Sequence, residues 1–219
     1  MSAEERLAEV RTAIAQAAAR ANRSTLPTLI AVSKTCDAAA IEPLIIAGQR
    51  DFGENRLQEA QAKWPALREA HPELRLHLVG QLQSNKAADA VVLFDVIHSL
   101  DRTSLVAALA KAMDKTGRRD CFIQVNLSNE PQKGGCAVSD LPKLLAEAHA
   151  TNLPIRGLMC VPPANREPSP WFAFLGKLAR DYGLEDLSMG MSGDYPTAVA
   201  LGATHIRVGT ALFGARDEL

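Results

Sequence analysis

The sequence predicts an α/β fold, a single (β/α)8 TIM barrel with one extra helix ahead of the first strand. Eight short runs of apolar and β-branched residues alternate with segments of helical periodicity. No Gly-, Pro- or Ser-rich run between them is long enough for a domain boundary, so residues 1–219 are expected to form one domain. A doubly wound open sheet is the alternative, but it would need a reversal of strand order and usually has fewer strands.

The first segment, residues 1–24, is expected to hold a helix that precedes strand one. Apolar side chains recur there at three- and four-residue spacing among Glu and Arg, at Leu7, Val10, Ile14 and Ala17. This spacing places them on one face, which is typical of a helix lying against a core. The segment is the one element that departs from the strand–helix alternation.

The remaining elements follow in order. Strands covered by helices on both faces are apolar throughout instead of alternating. The predicted strands are 29–34, 51–55, 74–80, 91–100, 121–127, 155–161, 187–192 and 204–213. The predicted helices are 38–48, 56–70, a short one from 84, 101–115, 139–150, 171–182 and 196–201. Polar residues at three helix starts are predicted to be N-caps, namely Ser84, Asp101 and Ser139.

Composition excludes several classes of function. The net charge of −1 provides no basic surface for nucleic acid or an acidic membrane. Four cysteines without a CxxC pair or a Cys/His spacing are expected to be reduced thiols that hold no metal. The N-terminus lacks the apolar core of a signal peptide, and no apolar run approaches the ~18 residues of a membrane span. We therefore expect a cytoplasmic protein that binds neither nucleic acid nor membrane.

Lys34 ends the first predicted strand, directly after an apolar run. In a barrel the C-terminal ends of all strands open on one face, where active sites are built. A desolvated lysine at such a place has a lowered pKa and can attack a carbonyl to form a Schiff base. The alternative is a lysine whose ammonium simply reaches solvent from the strand end.

Small residues follow or end the last two predicted strands. Barrels of this class bind phosphate with the loops after strands seven and eight, through backbone N–H groups and a helix N-terminus. Ser192 would supply a hydroxyl and a helix cap, while Gly193 would let the backbone approach an anion. Gly209 and Thr210 lie late in strand eight. The alternative is an ordinary cap and turn.

Arg207 is predicted to point into the barrel, because alternation along THIRVGT places it on one face with His205 and Gly209. A buried guanidinium needs an acceptor. That acceptor is either a carboxylate from another strand, such as Glu54 or Asp95, or a ligand atom with a lone pair. A Schiff-base lysine, a phosphate cradle and a buried donor together match the aldehyde, phosphate and pyridine nitrogen of pyridoxal 5′-phosphate (PLP).

Six stretches carry a resemblance to a known family. They are AVSKT at 31–35, FGENRLQE at 52–59, HLVGQLQSNK at 77–86, RGLMCVP at 156–162, LSMGMSGD at 187–194 and IRVGTALFG at 206–214. They fall at nearly every predicted strand end and extend over almost the whole chain. On these motifs the chain resembles the pyridoxal phosphate homeostasis proteins, often called the YggS family, single barrels related to the N-terminal domain of alanine racemases.

The resemblance implies a site for PLP. Lys34 would hold the cofactor covalently as an internal aldimine, and Arg207 matches the racemase-like arginine that donates to the pyridine nitrogen. The residues implied to hold the phosphate are Ser192, Gly193, Gly209 and Thr210. Asn55, at the end of strand two, is a candidate for hydrogen bonds to the ring substituents; the alternative is a turn-forming asparagine.

The resemblance also implies a carrier in place of a turnover enzyme. A donor to the ring nitrogen leaves it unprotonated, which weakens the ring as an electron sink. The racemases add a catalytic tyrosine from a C-terminal β domain, which is not expected here because the chain ends at Leu219 and its tyrosines, Tyr182 and Tyr195, match no such position. We therefore expect a monomeric PLP reservoir that supplies PLP-dependent apo-enzymes. The alternatives are a slow fold-type III amino-acid racemase and a phosphate-binding barrel enzyme without PLP, in which Lys34 acts as base or nucleophile.

Overall fold

Parallel strands form a closed barrel in the computed structural model, which describes residues 1–214. The strands are β1 Thr28–Val32, β2 Asp51–Glu54, β3 Arg75–Leu78, β4 Val96–Leu100, β5 Asp120–Asn126, β6 Cys136–Ala137, β7 Ile155–Met159, β8 Asp186–Ser188 and β9 His205–Val208. Eight of them are neighbours in the order β4-β3-β2-β1-β9-β8-β7-β5, and pairing of β4 with β5 closes the ring. The predicted (β/α)8 barrel is confirmed. The predicted end of the domain, residue 219, lies outside the described residues.

Helices surround the barrel: one precedes β1, one follows β9, and the others connect successive barrel strands, as parallel pairing requires. They are α1 Ala3–Arg20, α2 Ala38–Ile46, α3 Leu57–Ala70, α4 Ala87–Leu93, α5 Thr103–Thr116, α6 Leu141–Ala150, α7 Ser169–Asp181, α8 Tyr195–Ala200 and α9 Thr210–Phe213. Single 3₁₀ turns precede α4 and α6. No helix within residues 1–214 is both long and apolar enough to cross a membrane.

The extra N-terminal helix is confirmed as α1, which packs against α8 and α9. It begins with a capping box, in which Ser2 Oγ accepts from the Glu5 N–H at 3.1 Å and Glu5 Oε2 accepts from the Ser2 N–H at 2.7 Å. On its outer edge Arg6 Nε donates to the carbonyl of Leu212 at 2.5 Å. The helix thereby fixes α9, the element that follows the last barrel strand.

Most predicted strands extend beyond the observed ones, and two of them run into helices. Residues 91–93 belong to α4 and β4 begins only at Val96, while β9 ends at Val208 and residues 210–213 form α9. In both places a helix and a strand adjoin within one apolar run, which carries no period that would separate them. The short strand β6, which pairs with Val125 and Asn126 of β5, was not predicted.

The three predicted N-caps are wrong. Helix α5 begins after Arg102, with no side-chain cap, and Asp101 instead accepts from Arg102 Nη1 at 2.6 Å. Ser84 and Ser139 lie in the 3₁₀ turns that precede α4 and α6. The Ser84 and Asp101 side chains bond to Ser104 and Arg102 in place of a helix end.

The barrel interior contains a cluster of rings made of three histidines and Phe122. The ring of His98 stacks on Phe122 with centroids 4.5 Å apart, and the ring of His205 meets the edge of Phe122 at 5.0 Å. His77 lies 5.3 Å from His98 between ring centroids. Because His77 and His98 are fully buried, their nitrogens need partners within the protein.

Two of these histidines are expected to make the fold less stable in acid. Burial, reinforced by neighbouring histidines and Arg207, holds the pKa of His98 well below its ordinary value. Burial also lowers the pKa of His205 to about 4. As the pH falls from about 6.5 towards 4, the unfolded chain binds protons that the folded chain excludes, so the free energy of unfolding should fall by roughly 1.4 kcal/mol per pH unit for each histidine.

Urea denaturation over this pH range measures that slope. A His205→Gln variant should flatten it, whereas His149→Gln, which removes an exposed ring on α6, should leave it unchanged. A free energy of unfolding that stays constant over this range would contradict the presence of two neutral, buried rings.

Candidate cofactor-binding site

A cavity of about 350 Å³ opens among the loops that follow the barrel strands. All seven residues predicted from the sequence to bind a cofactor line it: Lys34, Asn55, Ser192, Gly193, Arg207, Gly209 and Thr210. The register explains how they meet, since β1 pairs with β9 so that Ile30 lies opposite Arg207 and Ala31 opposite Val208. Residues that follow the two strands therefore emerge side by side. A role for each of the seven in binding stays a prediction.

Lys34 lies two residues beyond β1, half-buried in the cavity wall. Within the described part of the chain its amine makes no hydrogen bond and no ion pair. The next residue, Thr35, has φ of 64°, a left-handed conformation that β-branched residues avoid. Such backbone strain costs about 1–3 kcal/mol and concentrates at ligand sites. The amine is thus held at an unusual turn and available to a ligand.

Lys63 fixes the loop that carries Lys34. Its Nζ donates to the carbonyls of Ser33 and Cys36, each at 2.8 Å, and so holds the backbone on both sides of Lys34. The same Nζ lies 2.8 Å from Glu54 Oε1. The loop is therefore anchored by an ion pair beneath it, which the sequence analysis did not identify.

Glu54 is the buried half of that ion pair. Its carboxylate is fully buried, and Oε1 accepts from Ser33 Oγ at 2.6 Å and from Trp64 Nε1 at 2.9 Å as well as facing Lys63. Within residues 1–214, Oε2 has no hydrogen-bond partner. The charge on Glu54 is consequently balanced by Lys63, whose side chain is 11% exposed.

Ser192 accepts hydrogen bonds from backbone N–H groups at the start of α9. Its Oγ accepts from the N–H groups of Gly209 at 3.2 Å and Ala211 at 3.3 Å. Both groups belong to the first turn of the helix, where N–H groups have no partner within the helix. Gly193 follows with open space around its Cα, since a Cβ there would meet nothing within 4 Å. A hydroxyl, backbone N–H groups and an open backbone thus share one wall of the cavity.

Arg207 points inward, as the strand alternation predicts, and is 5% exposed. Of the two acceptors considered for it, the carboxylate is wrong: neither Glu54 nor Asp95 contacts it, because each pairs with a different cation. Arg207 donates instead to two neutral acceptors, Ser188 Oγ at 2.7 Å and the carbonyl of Cys160 at 2.8 Å. Burial lowers the pKa of its guanidinium. The group therefore faces the cavity with no anion among these partners.

Asn55 follows β2 and lines the cavity beside the loop after β3. In the chain up to residue 214, its side-chain amide has no hydrogen-bond partner. Apolar side chains cover much of the remaining wall and were not identified from the sequence, since apolar residues at strand ends are expected in the core. They include Val32, Val79, Met159, Val161 and Phe213. These surfaces suit a flat ring with polar groups at its edge.

Comparison with known proteins shows the family to which the chain belongs and a narrower group within that family. The family model described as alanine racemase, N-terminal domain, matches residues 6–217. The chain is 42% identical over 222 residues to the pyridoxal phosphate homeostasis protein of Pseudomonas aeruginosa, which covers 97% of this chain and 95% of that protein. The chain therefore belongs to the racemase-like barrel family and, within it, to the pyridoxal phosphate homeostasis proteins. The resemblance found in the sequence is confirmed.

Solved structures agree with this placement. PipY of Synechococcus elongatus, solved with PLP bound, has a TM-score of 0.85 and 42% sequence identity, covering 97% of this chain and 100% of that chain. The alanine racemase of Streptomyces lavendulae has a TM-score of 0.70 at 19% identity, covering 94% of this chain and 57% of that chain. At that identity the racemase likeness concerns the barrel fold alone.

Proposed function

We propose that this protein binds PLP reversibly as a reservoir in PLP homeostasis and supplies it to PLP-dependent apo-enzymes without turning over a substrate. The observation that carries the proposal is the convergence of an unpaired amine, a buried guanidinium and a cluster of N–H and hydroxyl donors on one cavity. These match the aldehyde, ring nitrogen and phosphate of PLP. The relatives named for PLP homeostasis and the PLP-bound PipY support the same assignment.

Lys34 is proposed to hold the cofactor covalently. PLP supplies an electrophilic aldehyde, and the neutral Nζ would attack its carbon, forming a C=N bond while the carbonyl oxygen leaves as water. The missing hydrogen-bond partners of Nζ favour this role, because no described contact has to be broken. The two hydrogen bonds from Lys63 to the backbone on either side of Lys34 would keep the amine in place while PLP binds and is released.

The phosphate is proposed to lie against the start of α9. Ser192, Gly193, Gly209 and Thr210 line that wall. Backbone N–H groups at a helix start favour an anion. Asn55 is proposed to contact a ring substituent, since its amide is available.

The absence of turnover is proposed from the side chains that could transfer a proton in the cavity. Arg207 remains charged at neutral pH and would offer an N–H, not a transferable proton, to the ring nitrogen. A ring left unprotonated there is a weak electron sink. Neither Tyr182 nor Tyr195 lines the cavity. Both observations favour holding the cofactor over racemising an amino acid.

The compartment and assembly are proposed from the cysteines and from the exposed apolar side chains. Burial raises the pKa of three thiols to about 12, those of Cys121, Cys136 and Cys160, which suits reduced cysteines in the cytoplasm. Among the most exposed large apolar side chains of residues 1–214, Met1 precedes α1, Ile46 ends α2 and Val92 lies on α4, which favours a monomer. Contact with apo-enzymes would then be transient.

The absorbance spectrum of the purified protein tests the proposal. Incubation with PLP is expected to give a visible band that borohydride abolishes, leaving a reduced pyridoxyl group on the Lys34 peptide. Lys34→Ala should lose the band and the adduct, while Lys177→Ala, which removes an exposed amine on α7, should keep both. A colourless protein that stays unmodified by PLP would refute the proposal. Racemisation of an amino acid that is lost in Lys34→Ala would refute the non-enzymatic role and favour a racemase.

A further inference from the structure

A chain of hydrogen bonds crosses the barrel interior from Asp51 to Arg207. Asp51 Oδ1 lies 2.9 Å from His77 Nε2, and His77 Nδ1 lies 3.0 Å from His98 Nε2. His98 Nδ1 lies 2.8 Å from Ser188 Oγ, which accepts from Arg207 Nη1 at 2.7 Å. The three middle residues are fully buried. Asp51 begins β2, at the end of the barrel away from the cavity, so the chain links the two ends.

The two ends fix the direction of the bonds that they make. A carboxylate only accepts and a guanidinium only donates. His77 must therefore carry its proton on Nε2, facing Asp51, and a neutral His77 then accepts at Nδ1. That requires His98 to donate from Nε2 and to accept at Nδ1, so the Ser188 hydroxyl donates to His98 and turns a lone pair towards Arg207. Every link is satisfied with both rings neutral.

The reverse direction of these hydrogen bonds is disfavoured by the same count of donors and acceptors. If His98 carried its proton on Nδ1, both His98 and Arg207 would donate to the Ser188 oxygen, and the hydroxyl hydrogen would need another buried acceptor. The burial that lowers the pKa of His98 opposes the doubly protonated ring that would permit this arrangement. His205 packs beside both rings, with centroids 6.4 Å from His77 and 6.0 Å from His98, but its Nδ1 bonds to Thr204 Oγ1 at 2.9 Å.

We propose that Asp51, His77, His98 and Ser188 are positioning residues that hold the Arg207 guanidinium against the cavity wall, with Asp51 setting the direction of the chain. Without Ser188 the guanidinium would keep only the Cys160 carbonyl among its two observed acceptors and would turn about that single bond. The inference rests on the proposed function only in naming the ring nitrogen of PLP as what Arg207 is positioned to meet.

Nuclear magnetic resonance of the ¹⁵N-labelled full chain tests the direction without any cofactor. Long-range ¹H–¹⁵N spectra at neutral pH should show both His77 and His98 neutral and protonated on Nε2. The side-chain N–H signals of Arg207 should be resolved and protected from exchange. A proton on His98 Nδ1, in either the neutral or the charged ring, would overturn the proposal.

Two variants test the positioning against a matched control. Ser188→Ala should speed hydrogen exchange of the Arg207 guanidinium about tenfold, the factor that corresponds to one charged hydrogen bond. Ser99→Ala removes a hydroxyl from another buried serine, on β4, whose Oγ has no partner within residues 1–214, and should leave the exchange unchanged. Equal exchange in the two variants would overturn the proposal. Asp51→Ala should shift the His98 Nδ1 signal towards that of a protonated nitrogen, and an unmoved signal would show that Asp51 does not set the direction.

PLP binding is a further measurement, and it would stay unchanged if Ser188 had a purely structural role. Ser188→Ala should weaken PLP binding about tenfold relative to Ser99→Ala and shift the absorbance band of the bound cofactor. Unchanged binding in Ser188→Ala would overturn the positioning role. If the unaltered protein binds no PLP, the proposed function fails, while the tautomer and exchange measurements still decide whether the chain orders Arg207.

Discussion

Replacing Lys63 with methionine is expected to lower the free energy of unfolding by roughly 3–5 kcal/mol, the usual cost of leaving one buried charge without its partner. The Glu54 carboxylate is fully buried, and Lys63 is the cation that faces it at 2.8 Å. Methionine keeps the length and apolar volume of the lysine stem, so the loss isolates the charge and its hydrogen bonds. Urea denaturation at neutral pH measures the change.

Two further variants separate the charge from simple packing. The double variant Lys63→Met with Glu54→Gln should recover part of the loss, because no unpaired charge is then buried. Lys177→Met breaks the exposed ion pair with Asp181, whose side chains are 63% and 47% exposed, and should cost less than about 1 kcal/mol. Equal losses for Lys63→Met and Lys177→Met would contradict a buried, charge-balanced anchor.

The same variant should also affect the cofactor site. Lys63 donates to the carbonyls of Ser33 and Cys36, which flank Lys34. Once these bonds are lost, the turn at Thr35, with its φ of 64°, has less to hold it. We therefore expect the Lys63→Met protein, at a temperature where it remains folded, to load PLP more slowly than the unaltered protein.

The barrel was predictable from the sequence because its signal is repeated eight times. Each buried strand is an apolar run and each helix an amphipathic stretch, so one misplaced boundary leaves the count intact. The boundaries themselves were less predictable where apolar residues continue from one element into the next. Residues 210–213 were assigned to a strand, although Ser192 Oγ captures the N–H groups that start a helix there. These two bonds join residues that are 17 and 19 positions apart, and a local sequence pattern does not indicate contacts over such distances.

The residues that line the cavity were predictable for a related reason. In a parallel barrel the positions after all strands share one face, so polar and small residues there converge whatever their separation in sequence. Lys34 and Asn55 were found in this way, whereas Arg207, within β9, was found from the alternation of the strand. The side chains beneath them were not, because their partners are set by three-dimensional packing. Arg207 was expected to meet either a carboxylate or a ligand atom, and only the folded barrel brings Ser188 and the Cys160 carbonyl within reach.

Replacing Gly80 with alanine is expected to damage both the fold and the cofactor site. A Cβ at Gly80 would lie 2.7 Å from Asn55 Cα and closer still to the Asn55 carbonyl oxygen. Backbone atoms cannot yield as a flexible side chain does, so the loops after β2 and β3 must separate. Overpacking of this kind costs about 1–3 kcal/mol. Because Asn55 lines the cavity, we also expect PLP to bind more weakly.

Gly193→Ala provides the matched control, since it makes the same chemical change at the same cavity. A Cβ there meets nothing within 4 Å, so the free energy of unfolding should change by less than about 0.5 kcal/mol. Urea denaturation and PLP titration of both variants separate the two effects. Gly80→Ala should lose stability and affinity together, whereas any loss in Gly193→Ala should be confined to affinity, because the added methyl group faces the proposed phosphate. If Gly80→Ala is as stable as Gly193→Ala, the close approach of the two loops does not hold Asn55 in place.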